Sequence, residues 1–179
     1  MRCFIAIDVD DEKIKNEIIK LQIEIKDYDV KLVEEKNLHF TLKFLGEISK
    51  QTIEIIKEKL QNIAKNHSPF EIGFYGIGVF PSINYIRVIW VGVENKELFN
   101  LQNTIENELS DIFKKEEPKP HLTIARVRTP KHKKELADFV NKNKHIWLGK
   151  MKVNKIKLKK STLTPKGPIY EDIKIFELG

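Results

Sequence analysis

The chain has 179 residues, 41% of them hydrophobic and 32% charged, which fits one globular domain and excludes a wholly disordered chain. No run approaches the roughly 18 apolar residues of a membrane-spanning helix, and the short apolar start turns acidic too soon for a signal peptide. The lone cysteine, Cys3, excludes an internal disulfide and a zinc knuckle. We therefore expect a soluble, cytoplasmic protein of one domain, residues 1–179, acting by default as a monomer without contact to a membrane.

The net charge of +6 is unevenly distributed. Residues 112–160 hold 16 lysines and arginines against 4 acidic residues, a local balance of +12 that leaves −6 for the rest of the chain. This asymmetry predicts a face suited to polyanions. A lysine-rich, solvated surface would give the same count. The charge therefore suggests a phosphate-bearing partner without identifying it.

The apolar periodicity predicts strands and helices in mixed order. In the first half we predict strand 2–9, a helix capped by Asp10 or Asp11, strand 37–45, a helix capped by Ser49, and paired strands 70–80 and 85–93. In the second half we predict helix 98–112, strand 121–127, a helix opened by Thr129 and Pro130, and strands 147–158 and 169–176. The three glycines of strand 70–80 predict a bulge or a close backbone approach. This mixture favours an α+β fold with a largely antiparallel sheet.

A short His-x-Thr pattern occurs twice, 82 residues apart. His39 and Thr41 lie in one predicted strand, and His121 and Thr123 lie in another. Because side chains alternate along a strand, each pair points to one face, about 6.6 Å apart, while its apolar neighbours face the core. Burying two such pairs is costly unless they meet partners, so the repetition favours one shared cleft.

Two imidazoles with an ordinary pKa of about 6.5 can supply one base and one acid at neutral pH. This pair suits phosphoryl chemistry at an RNA end, where water loses a proton on one side of the phosphorus and an alkoxide gains one on the other. The hydroxyls of Thr41 and Thr123 can donate hydrogen bonds to the non-bridging oxygens. Neither a nucleophilic side chain nor a cofactor is required.

The chain resembles the two-histidine (2H) phosphoesterase superfamily, specifically the RNA 2′,3′-cyclic phosphodiesterases that are also called 2′-5′ RNA ligases. The resemblance spans nearly the whole chain. Its collinear blocks are Arg2-x-Phe4-x-Ala6-Ile7, Asn37-Leu38-His39-x-Thr41-Leu42-x-Phe44-Leu45-Gly46, Gly76-x-Gly78-x-Phe80-Pro81, Trp90-Val91-Gly92-Val93, Pro120-His121-x-Thr123-Ile124-Ala125-Arg126 and Ser161-x-Leu163-x-Pro165-x-Gly167-Pro168-x-Tyr170.

The resemblance implies a bilobal fold in which two similar lobes, each with an antiparallel sheet and outer helices, face a central cleft. It also implies hydrolysis of an RNA-terminal 2′,3′-cyclic phosphate, or of a nucleoside 2′,3′-cyclic phosphate, to a 2′-phosphomonoester. His39 would be the proton donor to the departing 3′ oxygen and His121 the proton acceptor from water, with Thr41 and Thr123 binding the phosphate. Joining of RNA ends through a 2′-5′ bond would be the same reaction in reverse.

Two further side chains are candidates for binding the substrate. Arg126 matches a family arginine that approaches the phosphate, but it lies five residues after His121, so ideal alternation points it away from the cleft. Either the strand ends or bulges near Ala125, or Arg126 is a structural or rim residue. Lys43 has the spacing for the cleft side, and Phe44 has the spacing for the core.

Other functions were weighed against this interpretation. No His-Glu-x-x-His pattern or cysteine pair accompanies the motifs, so we expect no metal site. The Lys43–Gly46 segment lacks the acidic or amide residue of a nucleotidyltransferase, and the phosphate-binding glycine–lysine pattern of ATPases is absent. A non-catalytic RNA- or nucleotide-binding module using the same cleft remains the alternative.

Overall fold

The computed structural model describes residues 1–117 and 119–179. The elements in chain order are β1 (Arg2–Asp8), α1 (Glu12–Ile25), β2 (Val30–Leu32), β3 (His39–Glu47), α2 (Lys50–Lys65), β4 (Phe70–Ser82), β5 (Tyr85–Glu94), α3 (Lys96–Glu108), β6 (His121–Val127), α4 (Lys133–Lys142), β7 (Trp147–Val153), β8 (Lys155–Thr164) and β9 (Gly167–Glu177). Among the described residues, no helix is both long enough and apolar enough to cross a membrane.

Side-chain caps fix the starts of the first two helices. The Asp11 carboxylate accepts a hydrogen bond from the backbone of Ile14, and the Ser49 hydroxyl accepts one from the backbone of Thr52. Such bonds satisfy amide groups that the first helical turn leaves unpaired. Thr129 differs from the prediction, because it caps a short 3₁₀ turn, Pro130–His132, and α4 begins only after that turn.

The strands form one antiparallel sheet of nine strands, in the order β7-β4-β5-β6-β3-β1-β8-β9, with β2 pairing with β6. The predicted α+β class is therefore confirmed. The halves of the sheet meet where β3 pairs with β6, and the register records one pair there, Phe40 with Leu122. Beyond that pair the neighbour of β6 is β2 instead of β3. The two halves, each with one His-x-Thr strand, are thus joined at their centre into one continuous sheet.

The prediction of a single strand over residues 147–158 is wrong. The segment is divided at Asn154 into β7, which pairs with β4, and β8, which pairs with β1 in the other half of the sheet. The apolar alternation shifts by one residue at Asn154, from Met151 and Val153 to Ile156 and Leu158, which marks a break that the prediction passed over. The shift does not tell which edges of the sheet the two strands join. The three-residue strand β2 was also missed, because it is too short to carry a periodic signal.

The helices α1 to α4 pack on one face of the sheet, and the part of the chain that the structure describes places no helix on the other face. In β5, Ile89, Val91 and Val93 are buried, while the alternating Trp90 and Gly92 are only partly covered. Contacts of α1 with β6 and β7, of α2 with β8 and β9, of α3 with β3 and β4, and of α4 with β4 and β5 account for the buried face. His39 and His121 alternate with buried neighbours, so they project from the face without helices.

Candidate active site

The two His-x-Thr motifs lie side by side at the centre of the sheet. Phe40 pairs with Leu122 in antiparallel register, and each motif has its histidine and its threonine on either side of its member of that pair. If this register continues by one residue on each side, the two histidines are diagonal neighbours, about 7–8 Å apart. All four polar side chains alternate with buried neighbours and project from the open face of the sheet.

Both imidazoles are held by the same local hydrogen bond. Nδ1 of His39 lies 2.7 Å from the carbonyl oxygen of Asn37, and Nδ1 of His121 lies 3.0 Å from that of Lys119. A carbonyl oxygen only accepts, so Nδ1 carries the hydrogen in each ring. Nε2 is consequently the atom that each histidine presents for proton transfer, as an acceptor when the ring is neutral and as a donor when it is charged.

Each motif strand contains a β-bulge at the residue after its threonine. In β3 the partners on β1 step from Thr41 to Lys43 and pass over Leu42, and in β6 the partners on β5 step from Thr123 to Ala125 and pass over Ile124. An extra residue in one strand reverses the facing of the residues that follow it. The same irregularity thus occurs at the same position in both halves of the sheet.

The bulge decides between the two interpretations of Arg126. Ile124 and Ala125 are both fully buried, and Arg126, which follows them, is exposed on the face that carries His121. The strand therefore does bulge near Ala125, and ideal alternation misplaces the arginine. Arg126 also influences the pKa of His39, so its charge lies near both motifs.

The prediction that Lys43 binds substrate is wrong. The bulge at Leu42 turns Lys43 to the helix side, where its side chain is only 2% exposed and its Nζ lies 2.7 Å from Oε1 of Glu106. The same ammonium group donates to the carbonyl of Lys114 at 3.2 Å. Lys43 is therefore a buried structural cation, and simple alternation failed because the strand carries one residue more than its partner.

Phe44 is likewise misplaced by simple alternation, which assigned it to the core. Its side chain is 69% exposed on the face of His39. Two more rings flank this histidine, with centroids 5.4 Å away for Phe4 and 5.1 Å away for Tyr170. The wall beside the first motif is therefore aromatic, and the flat faces of such rings suit stacking with a nucleobase.

The second histidine also has two aromatic neighbours. The ring centroid of His121 lies 4.9 Å from that of Phe80 and 6.1 Å from that of Trp90. Trp90 lies directly over Gly78, where a Cβ atom would overlap the indole. These aromatic residues belong to the motif blocks of the sequence, where no role was assigned to them. Their presence beside both His-x-Thr strands indicates that they belong to the site.

Burial is the largest influence on the pKa of His39 and lowers it from its ordinary value. The hydrogen bond to the carbonyl of Asn37 opposes this effect. Nearby Lys159 and Arg126 lower the pKa of His39 further, whereas Asp8 raises it. The free protein therefore favours the neutral ring at this position, and an anion bound between the motifs would favour the protonated one.

A cluster of four charges lies beside His39. Lys157 contacts Asp8 at 2.7 Å and Asp172 at 2.8 Å, and Lys159 contacts the same two carboxylates at 3.0 and 2.9 Å. Burial alone would raise the pKa of Asp172, but the hydrogen bonds from both lysines bring it below its ordinary value. Asp8 also pairs with His39 in the strand register, so the cluster borders the first motif.

The two threonine hydroxyls lie on the same face of the sheet as the histidines. Within residues 1–117 and 119–179, no hydrogen bond to a protein group engages the hydroxyl of Thr41 or Thr123, and both residues are partly exposed. Nor do the described residues contain a group of three or more histidine, cysteine, aspartate or glutamate side chains placed to hold a metal ion. Around the Phe40–Leu122 pair the open face therefore carries two imidazoles, two hydroxyls and, farther along β6, the guanidinium of Arg126.

Comparison with known proteins agrees with this internal repetition. The family model described as LigT like Phosphoesterase matches the chain twice, over residues 7–90 and 91–170. The RNA 2′,3′-cyclic phosphodiesterase of Methanocaldococcus jannaschii is 47% identical over 176 residues, covering 97% of this chain and 99% of that protein.

Solved structures agree with the fold. The crystal structure of TT0787 of Thermus thermophilus superposes with a TM-score of 0.87 at 25% identity, over 99% of this chain and 98% of that one. Escherichia coli LigT in complex with 3′-AMP has a TM-score of 0.77 at 22% identity, over 99% and 96% of the two chains. The two matched repeats and the whole-length relative place this chain in the LigT-like phosphoesterase family.

Proposed function

We propose that this protein hydrolyses the 2′,3′-cyclic phosphate at an RNA end, or of a nucleoside 2′,3′-cyclic phosphate, to a 2′-phosphomonoester without a metal ion. The observation that carries the proposal is the pairing of Phe40 with Leu122, which brings the two His-x-Thr motifs together on one face of the sheet, each with Nδ1 of its imidazole at a backbone carbonyl. The name of the Methanocaldococcus jannaschii relative and the 3′-AMP complex of LigT support the substrate class.

In the proposed reaction, Nε2 of neutral His121 accepts a proton from water as the water oxygen bonds to phosphorus. The bond between phosphorus and the 3′ oxygen breaks on the opposite side, and Nε2 of protonated His39 gives its proton to that oxygen. The product carries a 2′-phosphate and a free 3′-hydroxyl. Thr41, Thr123 and Arg126 stabilise the charge that builds on the non-bridging oxygens.

This arrangement of roles also places the nucleoside. The departing 3′ oxygen is at His39, so the ribose and its base extend towards the exposed ring of Phe44 and the partly exposed ring of Tyr170, with the buried Phe4 behind them. The low pKa of His39 in the free protein fits a donor that is charged only when the phosphate anion is bound beside it. The same site joins RNA ends when a 5′-hydroxyl takes the place of water as the attacking group, with a 2′-5′ bond as the product.

The decisive experiment is incubation with an oligoribonucleotide that ends in a 2′,3′-cyclic phosphate, followed by identification of the product. We expect a 2′-phosphate, formed equally well in the presence of a chelator. His39→Ala and His121→Ala should each reduce the rate by about 100-fold or more, which is the usual contribution of a positioned acid or base. His67→Ala, which alters a histidine bonded to the Ser68 carbonyl, is the matched control and should retain activity.

A non-catalytic binding module is the competing proposal, and the same experiment separates the two. A binding module would retain the cyclic end unchanged in the wild type and in both histidine variants. Formation of a 3′-phosphate would instead reverse the geometry, because the donor would then protonate the 2′ oxygen. A cytoplasmic location and action as a monomer remain predictions.

A further inference from the structure

A row of residues on the open face leads away from His121 across three strands. In the strand register, His121 pairs with Gly92, Gly92 with Tyr75, and Tyr75 with Trp147. At about 4.8 Å per strand, the row places Trp147 roughly 14 Å from His121. This distance is beyond the reach of the reacting ribose, yet the residues belong to one continuous surface.

Glycines along this surface have no Cβ atom, so aromatic rings can pack directly against the sheet backbone. A Cβ atom on Gly73 would come within 2.6 Å of the Trp147 indole, so that ring covers the glycine directly. Trp147 is nevertheless 54% exposed, so it presents the rest of its ring to solvent. Tyr75 lies between Gly92 and Trp147 in the row and is fixed by a hydrogen bond of 2.8 Å between its hydroxyl and Nδ1 of His145. Trp90 belongs to the neighbouring row, where it pairs with Thr123 and with Gly78.

A groove of about 410 Å³ runs beside these rings. Its polar lining includes Lys150, Asn95 and the carboxylates of Glu71 and Glu94. The Asn95 side chain is already engaged, because it donates to the Glu71 carbonyl and accepts from the Glu97 backbone. Exposed indole and phenol rings stack with any base, and a lysine binds a phosphate. The carboxylates of Glu71 and Glu94 repel a phosphate, so their end of the groove suits a base.

The direction of the proposed reaction indicates which molecule would occupy the groove beside Tyr75 and Trp147. The bound nucleoside extends from His39, so the side of the phosphorus at His121 belongs to the group that supplies the attacking oxygen. That group is water in hydrolysis. In the joining of RNA ends it is the 5′-hydroxyl of a second strand, which gives its proton to His121 and bonds to phosphorus while the 3′ oxygen takes the proton of His39.

We propose that Trp90, Tyr75 and Trp147 form an aromatic track that binds the bases of a single-stranded RNA whose 5′-hydroxyl lies at His121. This inference rests on the proposed function, since the orientation of the reaction decides which strand occupies the track. It adds a second RNA-binding subsite to the cleft, separate from the wall beside His39. The chain would then accept two RNA ends together, one on each side of the phosphorus.

The test measures binding and hydrolysis separately. Binding is followed by fluorescence anisotropy of an RNA hexamer with a free 5′-hydroxyl and a 3′-fluorescein, in saturating cytidine 2′-phosphate, which fills the side at His39. Trp147→Ala should weaken this binding about tenfold, the usual effect of losing one base–aromatic stack, and Trp147→Phe should restore most of it. Phe99→Ala, which removes a ring 61% exposed on α3, should leave binding unchanged.

Two further measurements keep the inference separate from the proposed function. Hydrolysis of cytidine 2′,3′-cyclic phosphate by Trp147→Ala should stay within twofold of the wild type, and so should affinity for a hexamer that ends in a 2′-phosphate. Failure of the wild type to hydrolyse the cyclic phosphate would overturn the proposed function. With hydrolysis intact, equal hexamer binding by wild type and Trp147→Ala would overturn the track, and so would weakening confined to the 2′-phosphate strand.

Discussion

Lys43 provides the sharpest test of how the site strands are built. Its ammonium group is 2.7 Å from Glu106, and the two side chains are only 2% and 5% exposed. Oε1 of Glu106 also accepts from the backbone of Glu116 at 2.9 Å, while Oε2 is buried with no partner among the described residues. Replacing Lys43 with methionine would therefore leave the Glu106 carboxylate buried without a cation.

We expect Lys43→Met to lower the free energy of unfolding by about 3–5 kcal/mol, which is typical when one member of a buried ion pair is removed. With an m-value of about 2 kcal/mol per molar urea, the midpoint of unfolding would fall by roughly 2 M. The double variant Lys43→Met with Glu106→Leu should recover most of this loss, since an apolar pair of similar size replaces a buried ion pair at little cost.

Urea denaturation followed by circular dichroism measures these values, with Lys20→Met as the control. Lys20 pairs with Glu17 at 3.0 Å on an exposed helix surface, so its loss should change stability by less than about 0.5 kcal/mol. The reasoning would be refuted if Lys43→Met unfolded like the wild type but raised the KM for a cyclic nucleotide tenfold. That result would return Lys43 to the cleft, where simple alternation places it.

The pH dependence follows from His39. Burial lowers the pKa of His39, so the alkaline limb of the kcat/KM profile, where the donor loses its proton, should lie below pH 6.5. The alkaline limb of the kcat profile should lie at higher pH, because bound phosphate stabilises the charged ring. Alkaline limbs at the same pH in both profiles would contradict the assignment of His39 as the donor. Arg126→Ala should reduce kcat/KM by about 10²-fold or more, as for other charge-stabilising donors, and Arg126→Lys should recover only part of this activity, since an ammonium group lacks the guanidinium fork. Steady-state kinetics on a cyclic nucleotide would measure both variants. Wild-type rates in Arg126→Ala would show that Arg126 does not belong to the site. Gly78→Ala should displace Trp90, because the new Cβ would overlap the indole, with a loss of about 1–3 kcal/mol in a melting experiment and lower activity; an unchanged melting curve would mean that the indole does not rest on Gly78.

Much of the architecture followed from local rules that hold within one element. Capping by Ser49 and by one of Asp10 and Asp11 was predicted, and the structure shows Ser49 and Asp11 as caps, because an Asp or Ser before an apolar stripe satisfies free amide groups of its own helix. The register shift between Tyr75 and Ile77 likewise confirms the bulge that the glycines predicted. The change of sheet edge at Asn154 was missed because it depends on which edges of a distant sheet are free.

The site shows the same limit on a smaller scale. Periodicity grouped His39 with Thr41, and His121 with Thr123, because each pair lies two residues apart within one strand. The pairing of the strands with each other depends on long-range register, which the repetition of the motif indicated and the Phe40–Leu122 pair now specifies. The aromatic neighbours come from other strands, and no spacing within either motif could have predicted them.

Comparing the two repeats residue by residue resolves the misplacement of Lys43. The second motif continues with Ile124 and Ala125 before Arg126, two apolar residues in succession that break strict alternation and indicate a bulge. Applied to the first motif, the same break assigns Lys43 to the core, where its position corresponds to that of Ala125. Lys43 made this break in alternation hard to recognise, because the sequence does not distinguish a lysine buried against a carboxylate from a lysine on the surface. One added residue directly after the threonine of each motif therefore accounts for the burial of Lys43 and for the exposure of Arg126 on the face of the histidines.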